Sequence, residues 1–499
     1  MTRTRLLPLL LALLLGLGGC ALPVAPGEPI GEGVLMPPLQ GGEMLYPTFA
    51  FSGAVYDGME NLRKGIIDAR GALVAPAIYA QLNYVTNAAG DAVVGLMAGA
   101  LEAEDYRWVY YGLDGSILAE PDYRGYMYAF PGGRYAETSG RQTGWMVDEN
   151  DVSGGLWSLE ENRQLLAPAH AQSIRQLDAH RFFVRIESYT PESGFGLVDM
   201  FIFDADSGAR TAVPSDVFEL ETSFEAALIR AADENGTWGL VDSDLHWVVP
   251  LRYSEIEGLQ GRRYRIARDF DGVQYLFAPN GAVLYEGQSS LTAISAEYVL
   301  AKNDATGETA LLRVTTAGCA TLLEPAVQGV SWLEGDRFVI TNRAAGTTTF
   351  WDAATGKATD VLQAYYDNAR NLTADLVLLE RYDLENSKEA VTILYNCSEK
   401  RAIPLPAGAN YAVESLCPWV VCVTDYNTNT RLFYDGKGNP LGESGAGQFN
   451  YTGLTTVSTN YMQGLLPAYP WVTQGLYAGY VDQNGGWIYK QERYLGLED

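Results

Sequence analysis

Residues 238–256 read WGLVDSDLHWVVPLRYSEI, and this stretch decides the fold that the sequence predicts. Two short runs of β-forming residues on either side of a polar turn are typical of a β-hairpin. The turn carries an aspartate, with a proline eight residues later and a tyrosine eleven residues later: Asp242, Pro250 and Tyr253. The same spacing occurs near the start of the chain, at Asp68, Pro76 and Tyr79. A spacing repeated in this way indicates one supersecondary unit used many times.

Polar turns continue this repeat along the chain. Counted from Asp68 there are eleven, at a mean spacing of about 41 residues, which is the length expected of a four-stranded propeller blade. They begin near residues 68, 113, 160, 204, 243, 279, 316, 352, 396, 435 and 482. Residues 291–324 and 327–362 each hold four β-forming runs, and no long helical periodicity occurs. We therefore predict an all-β repeat protein of about eleven four-stranded units, β-propeller-like, forming one large ring or two smaller rings.

The first 43 residues are predicted to lie outside the repeat region. Two arginines precede an apolar run at residues 6–15, which is too short to cross a membrane and is typical of a signal peptide. The following Leu-Gly-Gly-Cys20 resembles the lipobox of bacterial lipoproteins, where the cysteine is lipidated and the peptide is cut just before it. We expect a lipoprotein signal peptide at 1–19, lipidated Cys20 with a Pro/Gly-rich tether at 20–43, and the repeat region at 44–499.

The repeated motif itself resembles the WG repeat of bacterial surface and secreted proteins. The resemblance is carried by Trp238, Gly239, Asp242, Pro250 and Tyr253, by Gly65, Asp68, Gly71, Pro76 and Tyr79, and by Gly479, Asp482 and Gly485. Lys64 stands where the first of these units would have its tryptophan, and Lys490 where the last would have its proline. The resemblance implies an extracytoplasmic repeat domain for binding or assembly. It implies no catalytic residues, so these positions are expected to be structural.

Charge and motif content restrict the chemistry. The 499-residue chain has 34 basic and 61 acidic residues, a net charge of −27, which disfavours nucleic acid as a partner. Its three histidines have no metal-ligand spacing, and no nucleophile elbow or P-loop occurs, so we predict no metal, no cofactor and no catalytic residue. With 61 acids, however, glycoside cleavage by a pair of carboxylates stays open as an alternative.

An aromatic-rich stretch between residues 106 and 135 is the one sequence feature that points to a ligand. Aromatic rings stack on the C–H faces of sugars and hold peptide surfaces with little loss of side-chain entropy. The alternation within the stretch also fits a buried strand face, so both interpretations stay open. The predicted ligand-stacking residues are Tyr106, Trp108, Tyr110, Tyr123, Tyr126 and Tyr128.

Four cysteines follow Cys20, an even number in an oxidising compartment. Cys417 and Cys422 flank a predicted turn and are candidates for a bridge, with Cys397 as a rival partner. Free buried thiols are favoured over a bridge, because a five-residue separation places the two side chains on opposite faces of an extended run.

Together these features predict a membrane-anchored, extracytoplasmic, non-enzymatic module that binds a glycan, a peptide or an envelope protein. The alternative is a polysaccharide-processing hydrolase or lyase on a propeller scaffold. A funnel with two facing carboxylates would favour the enzyme, whereas an aromatic shelf without them would favour the binding module. A purely structural envelope partner would need an exposed flat apolar patch.

Overall fold

The computed structural model describes most of the repeat region. The described residues are 44–51, 62–68, 71–87, 92–102, 105–140, 152–190, 194–221, 228–257, 264–315, 318–382, 391–405, 411–426, 428, 430–443, 450–452, 471–474, 477–481 and 486–492. Within them the chain forms 44 β-strands and no helix. The predicted all-β fold class is therefore confirmed.

The first half of the chain forms five sheets and part of a sixth, numbered here in chain order. Sheet 1 contains β1 (Leu45–Phe51), β2 (Leu62–Asp68) and β3 (Leu73–Tyr79). Sheet 2 contains β4 (Gln81–Thr86), β5 (Val93–Glu102), β6 (Asp105–Gly112) and β7 (Ile117–Ala119). The next strands are β8 (Tyr126–Ala129), β9 (Tyr135–Ser139), β10 (Val152–Ser153), β11 (Gly155–Ser158), β12 (Arg163–Leu166) and β13 (Ala169–His170). Sheet 3 has the order β12-β11-β9-β8, while β10 and β13 form a separate two-stranded ladder.

Sheets 4 to 6 continue the pattern. Sheet 4 contains β14 (Gln172–Gln176), β15 (Arg181–Thr190), β16 (Gly194–Asp204) and β17 (Arg210–Ala212). Sheets 5 and 6 are joined through a shared strand into seven strands: β18 (Glu219–Glu221), β19 (Ile229–Ala232), β20 (Trp238–Val241), β21 (Trp247–Ile256), β22 (Arg265–Asp269), β23 (Gln274–Phe277) and β24 (Val283–Gly287). The shared strand is β21, which ends sheet 5 and continues as the first strand of sheet 6.

The remaining sheets each have four strands in sequential order. Sheet 7 contains β25 (Ser290–Ala293), β26 (Tyr298–Lys302), β27 (Glu308–Thr315) and β28 (Gly318–Val327), and sheet 8 contains β29 (Gly329–Glu334), β30 (Arg337–Asn342), β31 (Thr347–Asp352) and β32 (Lys357–Leu362). Sheet 9 contains β33 (Asn368–Asn371), β34 (Leu376–Arg381), β35 (Val391–Asn396) and β36 (Arg401–Pro404). Sheet 10 contains β37 (Tyr411–Cys417), β38 (Val420–Asp425), β39 (Thr430–Asp435) and β40 (Pro440–Glu443), and sheet 11 contains β41 (Asn450–Thr452), β42 (Trp471–Gln474), β43 (Tyr477–Val481) and β44 (Trp487–Glu492).

The hydrophobic core lies between the sheets. Ten clusters of buried side chains each join one sheet to the next in sequence. An eleventh cluster joins sheet 11 to sheet 1, with Phe49 packed edge-on against Trp471 at 5.0 Å. The described sheets therefore form one closed ring of eleven, and the fold is a β-propeller.

The signature glycines lie where the outermost strand of a sheet crosses close to its neighbour. A Cβ on Gly65 would lie 2.9 Å from the carbonyl oxygen of Ala75, and one on Gly239 would lie 2.7 Å from that of Val249. The strand register shifts at both glycines, so a β-bulge brings the two backbones together. A side chain at either position would force the strands apart, which explains the repeated glycine.

The other signature residues shape the turn and the outer edge. The Asp242 carboxylate accepts the backbone N–H groups of Asp244 and His246, both at 2.9 Å, and thereby fixes the turn. Pro250 is exposed on β21, where a missing N–H blocks pairing with another chain. Tyr253 is buried and packs edge-on against Phe277 of sheet 6 at 5.5 Å. Asp482 and Gly485 lie outside the described residues, as does Cys20.

Among the described residues sheet 1 has three strands, and β1 is its inner edge. The backbone N–H and C=O of Asp68 both form hydrogen bonds in the turn that leads into β3. The backbone groups of Leu45, which is paired with Asp68, therefore point away from β2. Pro47 and Phe49 point the same way by alternation. The three outward carbonyl oxygens accept side-chain donors from neighbouring sheets: Leu45 from Tyr84 at 2.7 Å, Pro47 from Tyr480 at 2.7 Å and Phe49 from Gln491 at 2.6 Å. We call these three bonds the closure latch.

The four cysteines in the described part of the chain are free thiols. Cys417 pairs with Val420 across a tight turn, and Cys417 and Cys422 are buried in the same core cluster between sheets 10 and 11. The expectation that they occupy opposite faces is therefore wrong, because the chain reverses between them. Burial raises the pKa of the Cys417 thiol to about 12, which keeps it protonated and unreactive.

Candidate functional site

The predicted aromatic residues lie in and around the interface between sheets 2 and 3. Each four-stranded sheet has an end at which its second strand, counted from the inner edge, connects to its third, and we call this the upper end of the ring. In sheet 1 the corresponding end is the one where β1 finishes and β2 begins. Tyr106 begins the third strand of sheet 2 at this end, and Tyr126 begins the first strand of sheet 3 there. Tyr123 lies in the connection between the two sheets.

Four of the six predicted residues form one group with Trp157, which we call the aromatic crevice. The ring of Tyr106 lies 5.5 Å from that of Trp108 and 5.3 Å from that of Tyr126. Tyr123 lies 6.2 Å from Trp157. The three tyrosines are half-buried, whereas Trp108 is fully buried and forms the floor. Rings held at these angles to one another keep their positions without a ligand.

Hydrogen bonds fix the floor and one wall of the aromatic crevice. The Trp108 indole N–H donates to the Gly125 carbonyl oxygen at 2.7 Å. The Gln81 amide donates to the Tyr106 hydroxyl at 3.1 Å. Gly125 has φ +132 and would bring a Cβ within 2.6 Å of the Ser139 carbonyl oxygen, so the chain can bend this closely only with glycine there. The crevice is therefore preformed by backbone geometry.

Trp157 is the unusual member of the group. Its side chain is only 7% exposed, and its indole N–H has no hydrogen-bond acceptor among the described residues. Burying a polar N–H without a partner costs roughly 1–3 kcal/mol. This donor lies next to the half-exposed ring of Tyr123, and an unpaired buried donor of this kind calls for an explanation.

Charged side chains surround the upper side of the crevice. Arg124 forms a 2.7 Å ion pair with Glu102, and Arg107 lies 3.5 Å from Glu120 and 3.8 Å from Glu102. The Arg124 hydrogen bond lowers the pKa of the Glu102 carboxyl. All four side chains are about half exposed, so they add polar contacts at the rim rather than stability.

The other two predicted residues lie apart from the crevice. Tyr110 is buried in the core between sheets 2 and 3, with 5% exposure. Tyr128 is 48% exposed on β8 and pairs across the sheet with Glu137. Burial raises the pKa of Glu137 to about 7, against a backbone N–H from Gly154 that lowers it.

Three exposed tyrosines that sequence reasoning missed lie at the same upper end. Tyr382 follows the second strand of sheet 9, Tyr426 follows that of sheet 10, and Tyr477 begins the third strand of sheet 11. They are 46%, 61% and 38% exposed. Tyr382 and Tyr426 stand without aromatic neighbours in the sequence, whereas Tyr477 lies in an aromatic-rich stretch that includes Trp471 and Tyr480. The only local sign is a tyrosine directly at a strand end.

Over the described ranges, no group of three or more His, Cys, Asp and Glu side chains is placed to hold a metal ion. The same part of the chain has no helix that is long and apolar enough to cross a membrane.

No family model matches the chain, and no curated protein matches it. Among solved structures, it is similar to the crystal structure of a eukaryotic initiation factor, at 9% identity, covering 81% of this chain and 96% of that one with a TM-score of 0.37. It is also similar to an uncharacterised protein of Listeria monocytogenes EGD-e, at 10% identity over 56% of this chain and 93% of that one, TM-score 0.29. A third similar structure is the C-terminal WD40 domain of Sif2, at 12% identity, covering 60% of this chain and 89% of that one with a TM-score of 0.27. The propeller assignment rests on the sheets and closure of this chain.

Proposed function

We propose that this protein is a non-enzymatic module that binds a glycan in the aromatic crevice. The observation that carries the proposal is a group of half-buried tyrosines, one of which packs against a tryptophan whose buried indole N–H has no acceptor among the described residues. Aromatic rings offer flat apolar surfaces to the C–H faces of a sugar, and a buried N–H can bind one of its hydroxyl oxygens. Binding would satisfy a donor that is costly to leave unpaired.

The location that we propose is the outer surface of a bacterial cytoplasmic or outer membrane. It follows the lipobox resemblance at Cys20 and the WG-type spacing of Asp68 and Asp242. A tether at residues 20–43 would hold the ring off the bilayer. Replacing Cys20 by Ser should release the protein from the membrane fraction and abolish incorporation of labelled palmitate. Unchanged labelling in that variant would contradict lipidation at this residue.

The enzyme alternative has less support than the binding module. Paired-carboxylate hydrolases need two acids about 5–10 Å apart on either side of a bond. The acids at the crevice, Glu102 and Glu120, are half exposed, and each forms an ion pair with Arg107 or Arg124. A lowered pKa at Glu102 is the opposite of what a general acid needs.

Affinity electrophoresis tests the proposal directly. The mature chain carrying Cys20→Ser would be run through gels that each contain one soluble cell-wall, plant or host polysaccharide, and each gel would be assayed for cut product. We expect retardation without product in at least one gel, and loss of retardation in Tyr123→Ala. Phe270→Ala, which removes an exposed ring on sheet 6, is the matched control. Release of product would establish the enzyme instead, and absence of retardation in every gel would contradict glycan binding.

A further inference from the structure

The exposed aromatic side chains are concentrated on one part of one end of the ring. Within the described residues, six aromatic side chains are exposed, and four of them lie at upper-end turns: Phe270, Tyr382, Tyr426 and Tyr477. Three of these four belong to consecutive sheets, 9, 10 and 11. The upper-end turns of sheets 5, 7 and 8 instead hold Asp233, Asn303 and Asn342, whose side chains accept backbone N–H groups.

Because the ring closes, the sheets that carry these tyrosines and the sheets that form the aromatic crevice lie on the same part of the ring. Sheet 11 packs on sheet 1, and sheet 1 packs on sheet 2. The upper ends of sheets 9, 10, 11, 1, 2 and 3 are therefore consecutive around the ring. Tyr382, Tyr426 and Tyr477 lie on one side of the closure, and Tyr106, Tyr123 and Tyr126 lie on the other.

We propose that these six tyrosines form one continuous binding arc for a long, neutral, linear polysaccharide. The inference rests on the proposed function of the crevice and adds the class and length of its ligand. Packed sheets are separated by about 10 Å, so five intervals between six sheets give an arc of roughly 50 Å. A ligand of one or two sugars fills the crevice alone, whereas a long chain also reaches sheets 11, 10 and 9.

Neighbouring groups hold the outlying tyrosines in place. The backbone N–H of Tyr382 donates to Asp367 at 2.8 Å, and its hydroxyl donates to Glu380 at 3.2 Å. Lys490 lies 3.6 Å from the ring centre of Tyr477, within cation–π distance. The turn that carries Tyr426 is fixed by Thr428, which donates to Asp425 at 2.9 Å. Positioned rings lose little entropy on binding.

The charge of the arc selects the kind of polymer. Five carboxylates lie beside its tyrosines against three cations, Arg107, Arg124 and Lys490, and the whole chain has a net charge of −27. The carboxylates are Asp367, Glu380, Asp425, Glu102 and Glu120. A polyanionic glycan would be repelled by this field, and a neutral one would not. Tyrosine also offers both a flat ring and a hydroxyl group, which suits a sugar better than a purely apolar partner.

Length-dependent binding tests the arc. The full mature chain with Cys20→Ser would be titrated with a size series of the neutral oligosaccharides that correspond to a retarding polysaccharide. We expect affinity to rise with length, because each further stacked ring adds a contact to a ligand that is already held. Tyr426→Ala should weaken binding of the longest chain about five-fold, the value of one stacked ring, and leave the shortest unchanged. Phe270→Ala, with a ring of similar exposure outside the arc, should change neither.

The outcomes separate the arc from the crevice. If affinity does not depend on length, or if Phe270→Ala weakens binding as much as Tyr426→Ala, the arc is wrong while the crevice stands. If only polyanions bind, the assigned ligand class is wrong. If the wild type binds no polysaccharide, both proposals fail, and cross-linking to an envelope protein that Tyr426→Ala abolishes would assign the arc to a protein partner.

Discussion

The closure latch makes a prediction about where the ring opens. Tyr480 is 1% exposed, and its hydroxyl donates to the Pro47 carbonyl oxygen at 2.7 Å across the junction of sheets 11 and 1. Tyr480→Phe keeps the ring in place and removes only the donor. A buried acceptor left without its donor costs about 1–3 kcal/mol. Since about 1.4 kcal/mol changes an equilibrium tenfold, we expect local opening of this junction to become roughly 5- to 150-fold more frequent.

Hydrogen exchange read by mass spectrometry measures that opening. Peptides that cover Leu45–Phe51 and Trp487–Glu492 should exchange faster in Tyr480→Phe, while peptides from sheets 4 to 8 should keep their wild-type rates. The junction joins the first and last described sheets, which are not consecutive in sequence, so it can separate without stretching a short connection between sheets.

A matched variant shows whether the effect is specific to closure. Tyr264 is also 1% exposed, and its hydroxyl donates to the Ser295 and Tyr298 carbonyl oxygens at 2.6 and 2.9 Å, between sheets 6 and 7. Tyr264→Phe should lower the free energy of unfolding by a similar amount without accelerating exchange at β1 or β44. If the two variants accelerate the same peptides, the latch is not a separate opening point and the reasoning is refuted.

Two further predictions concern stability. Because Glu137 has a pKa near 7 when folded and about 4.5 when unfolded, it should contribute full stability below about pH 4.5 and lose up to roughly 3 kcal/mol as pH rises through 7. In urea unfolding, the free energy of unfolding of Glu137→Gln should therefore rise relative to that of the wild type between pH 5 and 8. A difference in this free energy that does not change with pH would contradict burial of Glu137. Gly239→Ala should cost about 1–3 kcal/mol or more, because its Cβ would meet the Val249 carbonyl oxygen. Gly236→Ala, in open space at φ +74, should cost only about 1 kcal/mol, and equal melting temperatures for the two variants would argue against the close approach.

The repeat was predictable from sequence because each of its residues has a structural role within its own sheet. Gly239 permits the bulge, Asp242 caps the turn through two N–H groups, and Tyr253 begins the next inner strand eleven residues after the aspartate. Each structural role requires one residue type at one spacing, so the pattern predicts a four-stranded sheet wherever it recurs. The strands predicted in residues 291–324 and 327–362 are present, with β27 and β28 extended by a few residues at their ends.

Closure was not predictable, because it depends on contacts between distant residues. Tyr480 and Pro47 are 433 positions apart, and nothing in the local pattern of either shows that they meet. Sequence spacing therefore allowed two rings as readily as one. That sheet 1 has three described strands rather than four was also not predictable, since Asp68, Pro76 and Tyr79 match the repeat as well as the corresponding residues of sheet 5 do.

The candidate site was predictable only in part. Alternation at Tyr106, Trp108 and Tyr110 fits both a buried strand and a binding shelf, and the structure contains both, since Trp108 and Tyr110 are buried while Tyr106 is half exposed. Whether an aromatic side chain reaches solvent depends on how close it lies to the end of its strand and on how the neighbouring sheet packs against it. Trp157 lies outside the aromatic-rich stretch, and only its packing against Tyr123 includes it in the crevice.

The state of the Trp157 indole N–H tests the central claim most directly. The chain has ten tryptophans, and the missing signal in the spectrum of Trp157→Phe would assign this one among the indole resonances of the ¹⁵N-labelled protein. On addition of a neutral oligosaccharide from the most strongly retarding polysaccharide, we predict that the Trp157 signal shifts and that its exchange with water slows, because the N–H acquires an acceptor. Saturating binding that leaves this signal unchanged would contradict a glycan site in the aromatic crevice.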